Sequence, residues 1–268
     1  MNPKDFRALV YENAFACHRD LPWRKTLDPY AIVVSEFMLQ QTQVLRVVPK
    51  YIAWLERLPD LGSLAAAPVD EVLALWSGLG YNRRALALRS AAGRIVQDHG
   101  GRVPENEEGL RSLPGIGIYT ARAVLAFAFD KPTVFLETNI RTVLLKHFFP
   151  DSQGVTDAEL EKKAALVLDE AAPRRWYNAL MDYGAEIKRL EGNHSVRGAA
   201  YKKQAPFASS FRRLRGAVLR RLVEEKTVLL SQLAAELPFE EAEIERCCVL
   251  LVQEGFAVYD GPSLRIRT

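Results

Sequence analysis

A carboxylate set inside an apolar helical run is the first feature of this chain with chemical potential. In Ser35-Glu36-Phe37-Met38-Leu39-Gln40-Gln41-Thr42-Gln43-Val44, Glu36 is flanked by Val33, Val34, Phe37, Met38 and Leu39. Burial strips such a group of hydration and raises its pKa. A carboxyl that keeps its proton at neutral pH is what a general acid requires. A plain helix-surface acid would give the same local pattern. A second acid stands in Phe135-Leu136-Glu137-Thr138-Asn139-Ile140-Arg141, after Pro132 and before a helical pattern. It can cap the helix start and offer an anion to a neighbouring site, or simply cap. The third feature is Leu113-Pro114-Gly115-Ile116-Gly117-Ile118-Tyr119-Thr120-Ala121. Two glycines at this spacing permit a tight hairpin with outward amides. With the start of the next helix, those amides can hold a phosphate without side-chain charge. Ile116 and Ile118 are expected to anchor this hairpin in the core. Alone, the motif also fits an ordinary helix–helix turn.

The elements that must position these groups are helices. Apolar residues recur at helical spacing from Ile32 to Val44 after the start signal Asp28-Pro29. Similar segments are expected at 45–57, 69–76, 83–98, 107–112, 119–129, 137–148, 157–171 and 174–188. Glycines and prolines punctuate them, as at Gly78-Leu79-Gly80 and Pro173. A length of 268 residues suggests two domains and a small third. Hydrophobic residues at 49% and charged residues at 26% exclude a disordered or low-complexity chain. No apolar run reaches the ~18 residues that span a bilayer, and the first residues carry no signal-peptide core. Cys17, Cys247 and Cys248 form neither a disulfide framework nor a zinc motif, which points to a reducing compartment. A soluble, cytoplasmic protein is expected, nucleoid-associated if bacterial. His18, His99, His147 and His194 lack metal-ligand spacing and read as structural or surface residues.

The net charge of +3 hides an asymmetry. From Glu186 to Arg221, ten Lys and Arg face two acids, a local +8 that leaves −5 elsewhere. Such a stretch can hold phosphates by counterion release, or be a solvated linker. Beyond it come helical patterns at 209–225, 231–237 and 240–254. Phe256–Tyr259 and Leu264–Arg267 then flank Asp260-Gly261 as a β-hairpin. Three helices and a terminal hairpin resemble a winged helix. Its third helix is acidic, so phosphate contact is expected from the basic first helix. Cys247 and Cys248 fall on the third helix and read as core.

Taken together, these motifs closely resemble the helix-hairpin-helix superfamily of DNA glycosylases, nearest to the MutY type, which removes adenine mispaired with 8-oxoguanine. The resemblance covers residues 18–188. It rests on Leu21-Pro22-Trp23-Arg24, Asp28-Pro29-Tyr30, the Ser35–Val44 block, Trp76-Ser77-Gly78-Leu79-Gly80-Tyr81, Arg83, Leu113–Thr120 and Asn139. It implies an all-α two-lobed helix-hairpin-helix glycosylase core, followed by the small winged-helix-like α+β unit. The expected divisions are a six-helix barrel lobe with the hairpin at 26–134, a second helical lobe of 1–25 plus 135–205, and the winged-helix-like unit at 206–268.

By resemblance, Glu36 is the acid that protonates the departing purine, and Glu137 stands where the family has an aspartate that steadies the sugar cation. Tyr119 and Asn139 belong to the same site. Trp23, Arg24 and Asn178 line the base pocket. Gln41 and Tyr81 wedge into the duplex where the base has left. Gly115 and Gly117 contact phosphate, and a monovalent cation is implied on the carbonyls of Leu113, Ile116 and Ile118. Lys202, Lys203, Arg212 and Arg213 are expected to bind DNA.

Three departures stand out. Lys188 occupies the first ligand position of the family's iron–sulfur cluster, and no cysteine lies between Cys17 and Cys247, so no cluster and no other cofactor is expected. The basic residues from Lys188 to Lys203 are expected to take over that loop's phosphate contacts. The family's 8-oxoguanine-inspecting domain is replaced by the winged-helix-like unit. Finally, Glu137 replaces aspartate, and Asn178 stands where a second glutamate is frequent. A tyrosine at 119, where strand-nicking members carry lysine, implies a monofunctional enzyme. The expected partner is double-stranded DNA bearing a lesion or mispair, bound by a monomer. Hypoxanthine, mismatched thymine or uracil, and bulky adducts are alternative substrates. A catalytically silent lesion-binding protein is the alternative of another class.

Overall fold

The computed structural model of the chain describes residues 1–201 and 211–268. In chain order the first helices are α1 (Pro3–Ala16), α2 (Pro29–Leu39), α3 (Val44–Arg57), α4 (Leu61–Ala66), α5 (Val69–Trp76) and α6 (Arg83–Asp98). Next come α7 (Glu107–Arg111), α8 (Ile118–Phe129), α9 (Thr138–Phe148), α10 (Asp157–Val167) and α11 (Pro173–Glu191). The C-terminal part holds α12 (Phe211–Glu225), β1 (Thr227–Leu229), α13 (Leu230–Glu236), α14 (Glu241–Gln253), β2 (Ala257–Asp260) and β3 (Ser263–Ile266).

Two compact units divide the chain. The first joins Met1–Glu36 to Val103–Lys203. Its core packs Phe6 and Val10 of α1 against Ile140 and Leu144 of α9 and Trp176 and Leu180 of α11. The sequence pattern missed α1, yet α1 decides where α10 ends. Arg7 donates to the Leu168 carbonyl at 2.9 Å and the Tyr11 hydroxyl to Asp169 at 2.6 Å. These bonds hold residues 168 and 169 off the helix, so α10 stops at Val167 instead of continuing to 171.

The second unit joins Phe37–Arg102 to Gln204–Thr268. Trp54 and Trp76 meet edge to face in its interior, with ring centroids 5.6 Å apart. Its short α4, also absent from the expected helices, starts on a reciprocal Asp60–Ser63 capping box. The C-terminal elements form an antiparallel sheet of order β1-β3-β2, with Asp260 opposite Ser263 across a two-residue turn. This is the winged-helix-like α+β unit the sequence suggested. Cys247 and Cys248 are fully buried on α14.

The grouping differs from the expected lobes in three places, the first being residues 26–36, which fall with the N-terminal segment. Residues 103–134 fall with the terminal segments, because Ala123 and Ala126 of α8 are part of the core built by α1, α9 and α11. The C-terminal elements fall with residues 37–102. There Glu254 pairs with both Arg83 and Arg215, and Lys226 meets Asp70 at 2.7 Å.

Candidate active site

Helix α2 is apolar on every face. Ala31 to Val34, Phe37 and Met38 are all buried, and Glu36 is only 5% exposed among them. Loss of hydration is the main reason its pKa climbs to about 8, with repulsion from Glu137 adding to the rise. A hydrogen bond with the Tyr119 side chain acts the other way. The result is a carboxyl that holds its proton at neutral pH.

Glu137 does two things at once. As N-cap of α9 its Oε1 accepts the Asn139 and Ile140 amides at 2.6 and 3.0 Å. Burial raises its pKa, while those amides and the positive fields of Lys188 and Arg19 pull it down. Burial leaves both carboxyls raised, but among the described residues only Glu137 has cap amides and cations that draw it back toward its anion. Tyr119, in the first turn of α8, carries the hydroxyl that links to Glu36. Desolvation first, and then both carboxylates, raise its pKa, so the phenol stays protonated. Its ring meets Phe135 edge to face at 5.6 Å. Thus Glu36, Tyr119, Glu137 and the backbone of Asn139 come together within the first unit.

The pocket residues Arg24 and Asn178 also converge. Trp23 and Arg24 sit in a 3-10 turn at Pro22–Arg24, and Arg24 donates to the Asn178 carbonyl at 3.4 Å. The stronger partner is one that sequence reading missed. Asp182 of α11 is buried and receives Arg24 at 2.7 and 2.9 Å and Arg19 at 2.6 Å. It ties the 18–24 segment to α11. Its signal was a charged residue between Ala179, Leu180, Tyr183 and Ile187 on the apolar stripe of that helix. Gly184 was a second miss. A methyl group there would lie 2.3 Å from the Asn139 carbonyl oxygen, so glycine lets α11 reach the start of α9 beneath Glu137.

The hairpin before α8 is present, with Gly115 at φ +78° and Gly117 as N-cap. Both glycines are exposed. Its anchors are Leu113 and Ile116, which are buried. Ile118, expected to join them, is 47% exposed. It is the first residue of α8, directly after the exposed Gly117, and stays in the exposed turn of the hairpin. Two basic residues of the segment expected to contact phosphate have partners within the protein. Arg189 pairs with Glu186 at 2.6 Å, and Arg197 donates to the carbonyls of Phe149, at 2.9 Å, and Pro150. Arg197 thus holds the protein's own backbone and Arg189 a carboxylate one turn away on the same helix. Lys202 and Lys203 lie outside the described residues. Among the described residues no cluster of His, Cys, Asp and Glu side chains is arranged to hold a metal, and no helix is long and apolar enough to cross a membrane.

Gln41 and Tyr81 belong to the second unit. They are two of the few non-glycine residues with positive φ, at +54° and +50°. Such conformations cost free energy and persist only where the surroundings enforce them. Here the enforcer is Arg84, which sequence reading did not single out from its neighbour Arg83. Its guanidinium is half-buried and donates to the carbonyls of Phe37 at 2.7 Å, Gln40 at 2.6 Å and Gly80 at 2.9 Å, and to the Thr42 hydroxyl at 3.0 Å. One side chain therefore ties the end of α2 to the turn before α6. The Tyr81 hydroxyl accepts a bond from Arg212 of α12 at 2.8 Å. Arg213 is exposed over the Phe239 ring.

Comparison with known proteins agrees with this architecture. The chain is 42% identical to the adenine DNA glycosylase of Mycolicibacterium smegmatis over 172 residues, 63% of this chain and 58% of that protein. With the adenine DNA glycosylase of Homo sapiens it shares 38% identity over 181 residues, 63% of this chain and 33% of that protein. The matches thus span between a third and three-fifths of these curated relatives. Among solved structures, a thermostable thymine-DNA glycosylase superposes with a TM-score of 0.62 at 26% identity, covering 73% of this chain and 94% of that one. A non-covalent endonuclease III–DNA complex shares the fold, with a TM-score of 0.56 at 17% identity over 78% of this chain and 92% of that one. The model of the HhH-GPD superfamily of base excision DNA repair proteins matches residues 34–169, which includes Glu36, the hairpin and Glu137. On that match, the chain belongs to the HhH-GPD superfamily.

Proposed function

We propose that the protein is a monofunctional DNA glycosylase that removes adenine mispaired with 8-oxoguanine. The observation that carries this reading is the buried carboxylate pair: Glu36, raised to about 8, beside Glu137, which burial also raises but which the α9 amides, Lys188 and Arg19 draw back toward its anion. Glu36 gives its proton to the departing purine, which leaves with the bonding electrons. Glu137 steadies the positive charge left on the sugar. Water then adds to the sugar carbon, loses a proton and leaves an abasic site. The base must first leave the stack, and Gln41 and Tyr81 fill the space it vacates. Tyr119 offers no amine for a covalent bond to the sugar, so the strand is not nicked. The relatives named adenine DNA glycosylase support adenine as the base.

In this reading Gly115 and Gly117 hold a phosphate, and Trp23, Arg24 and Asn178 border the base. Carbonyl oxygens are the donors a hard monovalent cation takes, and those of Leu113, Ile116 and Ile118, on the hairpin turned at Gly115, would hold one. An iron–sulfur cluster has no part, since only Cys17, Cys247 and Cys248 offer thiolates and Lys188 serves Glu137 instead. The enzyme works as a monomer on duplex DNA in a reducing compartment.

Likeness to a thymine-DNA glycosylase favours mismatched thymine as the second reading. A panel of single-lesion duplexes, incubated with the protein and then cleaved with alkali, separates the two. Cleavage at adenine opposite 8-oxoguanine is expected. Cleavage only at mispaired thymine moves the assignment, and none on any duplex removes it.

A further inference from the structure

The second unit contains a groove of about 1040 Å³. One wall is the turn that carries Gln41 and Tyr81; the other is made by α12 and α14. Seven arginines and a single acid, Glu254, line it. Several of these arginines are committed internally: Arg84 to backbone carbonyls, and Arg83 and Arg215 to Glu254. Arg220 of α12 and Arg246 of α14 differ. Both are exposed, and neither has a carboxylate partner among the described residues. Arg246 lies 5.6 Å over the ring of Phe211, which also lines the groove. The opposite wall repeats this pairing, with Arg212 lying 6.0 Å over the Tyr81 ring.

Two aromatic faces, each with an arginine over it, in a groove with surplus positive charge, match the chemistry of a nucleic-acid strand. Bases stack on aromatic rings, arginines meet phosphates, and neither contact depends on sequence. We propose that this groove binds the sugar–phosphate backbone and an unstacked base of DNA, with Phe211 as a stacking platform and Arg220 and Arg246 as phosphate contacts. The C-terminal elements are then part of the DNA site, built onto the wedge residues. An acidic protein segment would satisfy the arginines but has no use for the paired aromatic faces. The proposal rests on the reading that the chain acts on DNA.

The test uses the full chain and a fluorescein-labelled 24-base-pair duplex with a central adenine·8-oxoguanine pair, read by anisotropy across a salt series. The control is Lys4→Glu with Lys162→Glu, two exposed lysines of the first unit with the same change in charge. Arg220→Glu with Arg246→Glu is expected to weaken binding at least ~10-fold relative to the control and to flatten the log–log salt slope by about 2, near 0.9 per lost phosphate contact. Phe211→Ala is expected to cost more on a duplex with an unpaired central base than on an intact one. Affinity within twofold of the control, with an unchanged slope, overturns the proposal. A measurement on the unaltered protein guards against misfolding. Phenylglyoxal modification of Arg220 and Arg246, read by peptide mass spectrometry, should slow when duplex is added; equal labelling with and without DNA also overturns it. Binding is scored without base removal. A wild-type protein that binds through this groove but excises nothing therefore sinks the glycosylase reading alone. Excision with an indifferent groove sinks this proposal alone.

Discussion

The two compact units put charged side chains to opposite uses. In the first, acids are buried and their proton affinity is what the fold tunes: desolvation pushes Glu36 up to about 8 and raises Glu137 too, while cap amides and cations draw Glu137 back toward its anion. In the second, arginines are the working charges, and they shape backbone or face outward. Arg84 gathers carbonyls from two turns, while Arg220 and Arg246 are exposed on the groove. The contrast teaches that burial makes a carboxyl reactive by changing its proton affinity, whereas a half-buried guanidinium, which stays charged near neutral pH even with its pKa lowered to about 10, acts mainly as a clamp.

The largest effect that would break this contrast is on base removal. Glu36→Gln keeps the shape of the acid and removes its proton-donating role. Single-turnover excision should fall at least ~10³-fold while lesion binding stays within a few-fold. In the wild-type protein, excision should be flat at neutral pH and decline as pH rises through about 8, where Glu36 loses its proton. Substantial turnover by the variant would remove Glu36 from the acid role.

Next in size is the buried ion cluster of the first unit. Asp182→Ala leaves Arg24 without its carboxylate in a nearly closed site. Removing one partner of a buried pair costs about 3–5 kcal/mol. Chemical denaturation should register that loss. A cost under about 1 kcal/mol would mean that water or a neighbour replaces the carboxylate.

In the second unit the matching change is Arg84→Lys. Lysine keeps the charge but has no fork to reach the carbonyls of both turns, so a cost of about 1–3 kcal/mol is expected. The sharper readout is local. With 2-aminopurine beside the target base, fluorescence on binding should drop relative to wild type, because Gln41 and Tyr81 are no longer held at positive φ. Unchanged fluorescence would show that the wedge does not depend on this clamp.

These residues also show what a sequence can and cannot tell. The carboxylates and the hairpin glycines were legible because each is local: an acid in an apolar run, a Gly-x-Gly turn, an acid two residues before Asn139; Gln41 and Tyr81 came from the family resemblance alone. The fold class followed from helical spacing and the terminal hairpin. Asp182, Gly184 and Arg84 were not singled out, since their meaning lies in partners far along the chain. Asp182 meets Arg24 across 158 residues, and Arg84 reaches the Phe37 carbonyl across 47. Nothing nearby distinguishes Arg84, half-buried on carbonyls, from Arg83, exposed on Glu254. Ile118 failed for the opposite reason. Its hydrophobicity suggested core, but its position at the start of α8 turned it outward.

The most gradual effect, spread over several pH units, is a stability change that reads the Glu36 proton without any substrate. At a pH below the ordinary carboxylate range, folded and unfolded chains both hold that proton, and it has no influence on folding. Between that range and about 8, the unfolded chain has released it and the folded chain has not. Folding then takes up a proton, so this group makes the protein less stable with each rise in pH, until both states are ionised above about 8. Glu36→Gln has no proton to release and escapes the loss. The difference in Tm between variant and wild type should therefore widen from pH 5 to pH 8 and level off beyond. Each pH unit in this window shifts stability by about 1.4 kcal/mol, which moves Tm by about 3–6 °C in a chain of this size. Fixed offsets from replacing a carboxyl with an amide cancel in the slope. A difference that stays level from pH 5 to pH 9 would mean that Glu36 ionises as it does in the unfolded chain, and the contrast between a reactive buried acid and a clamping arginine would lose its first half.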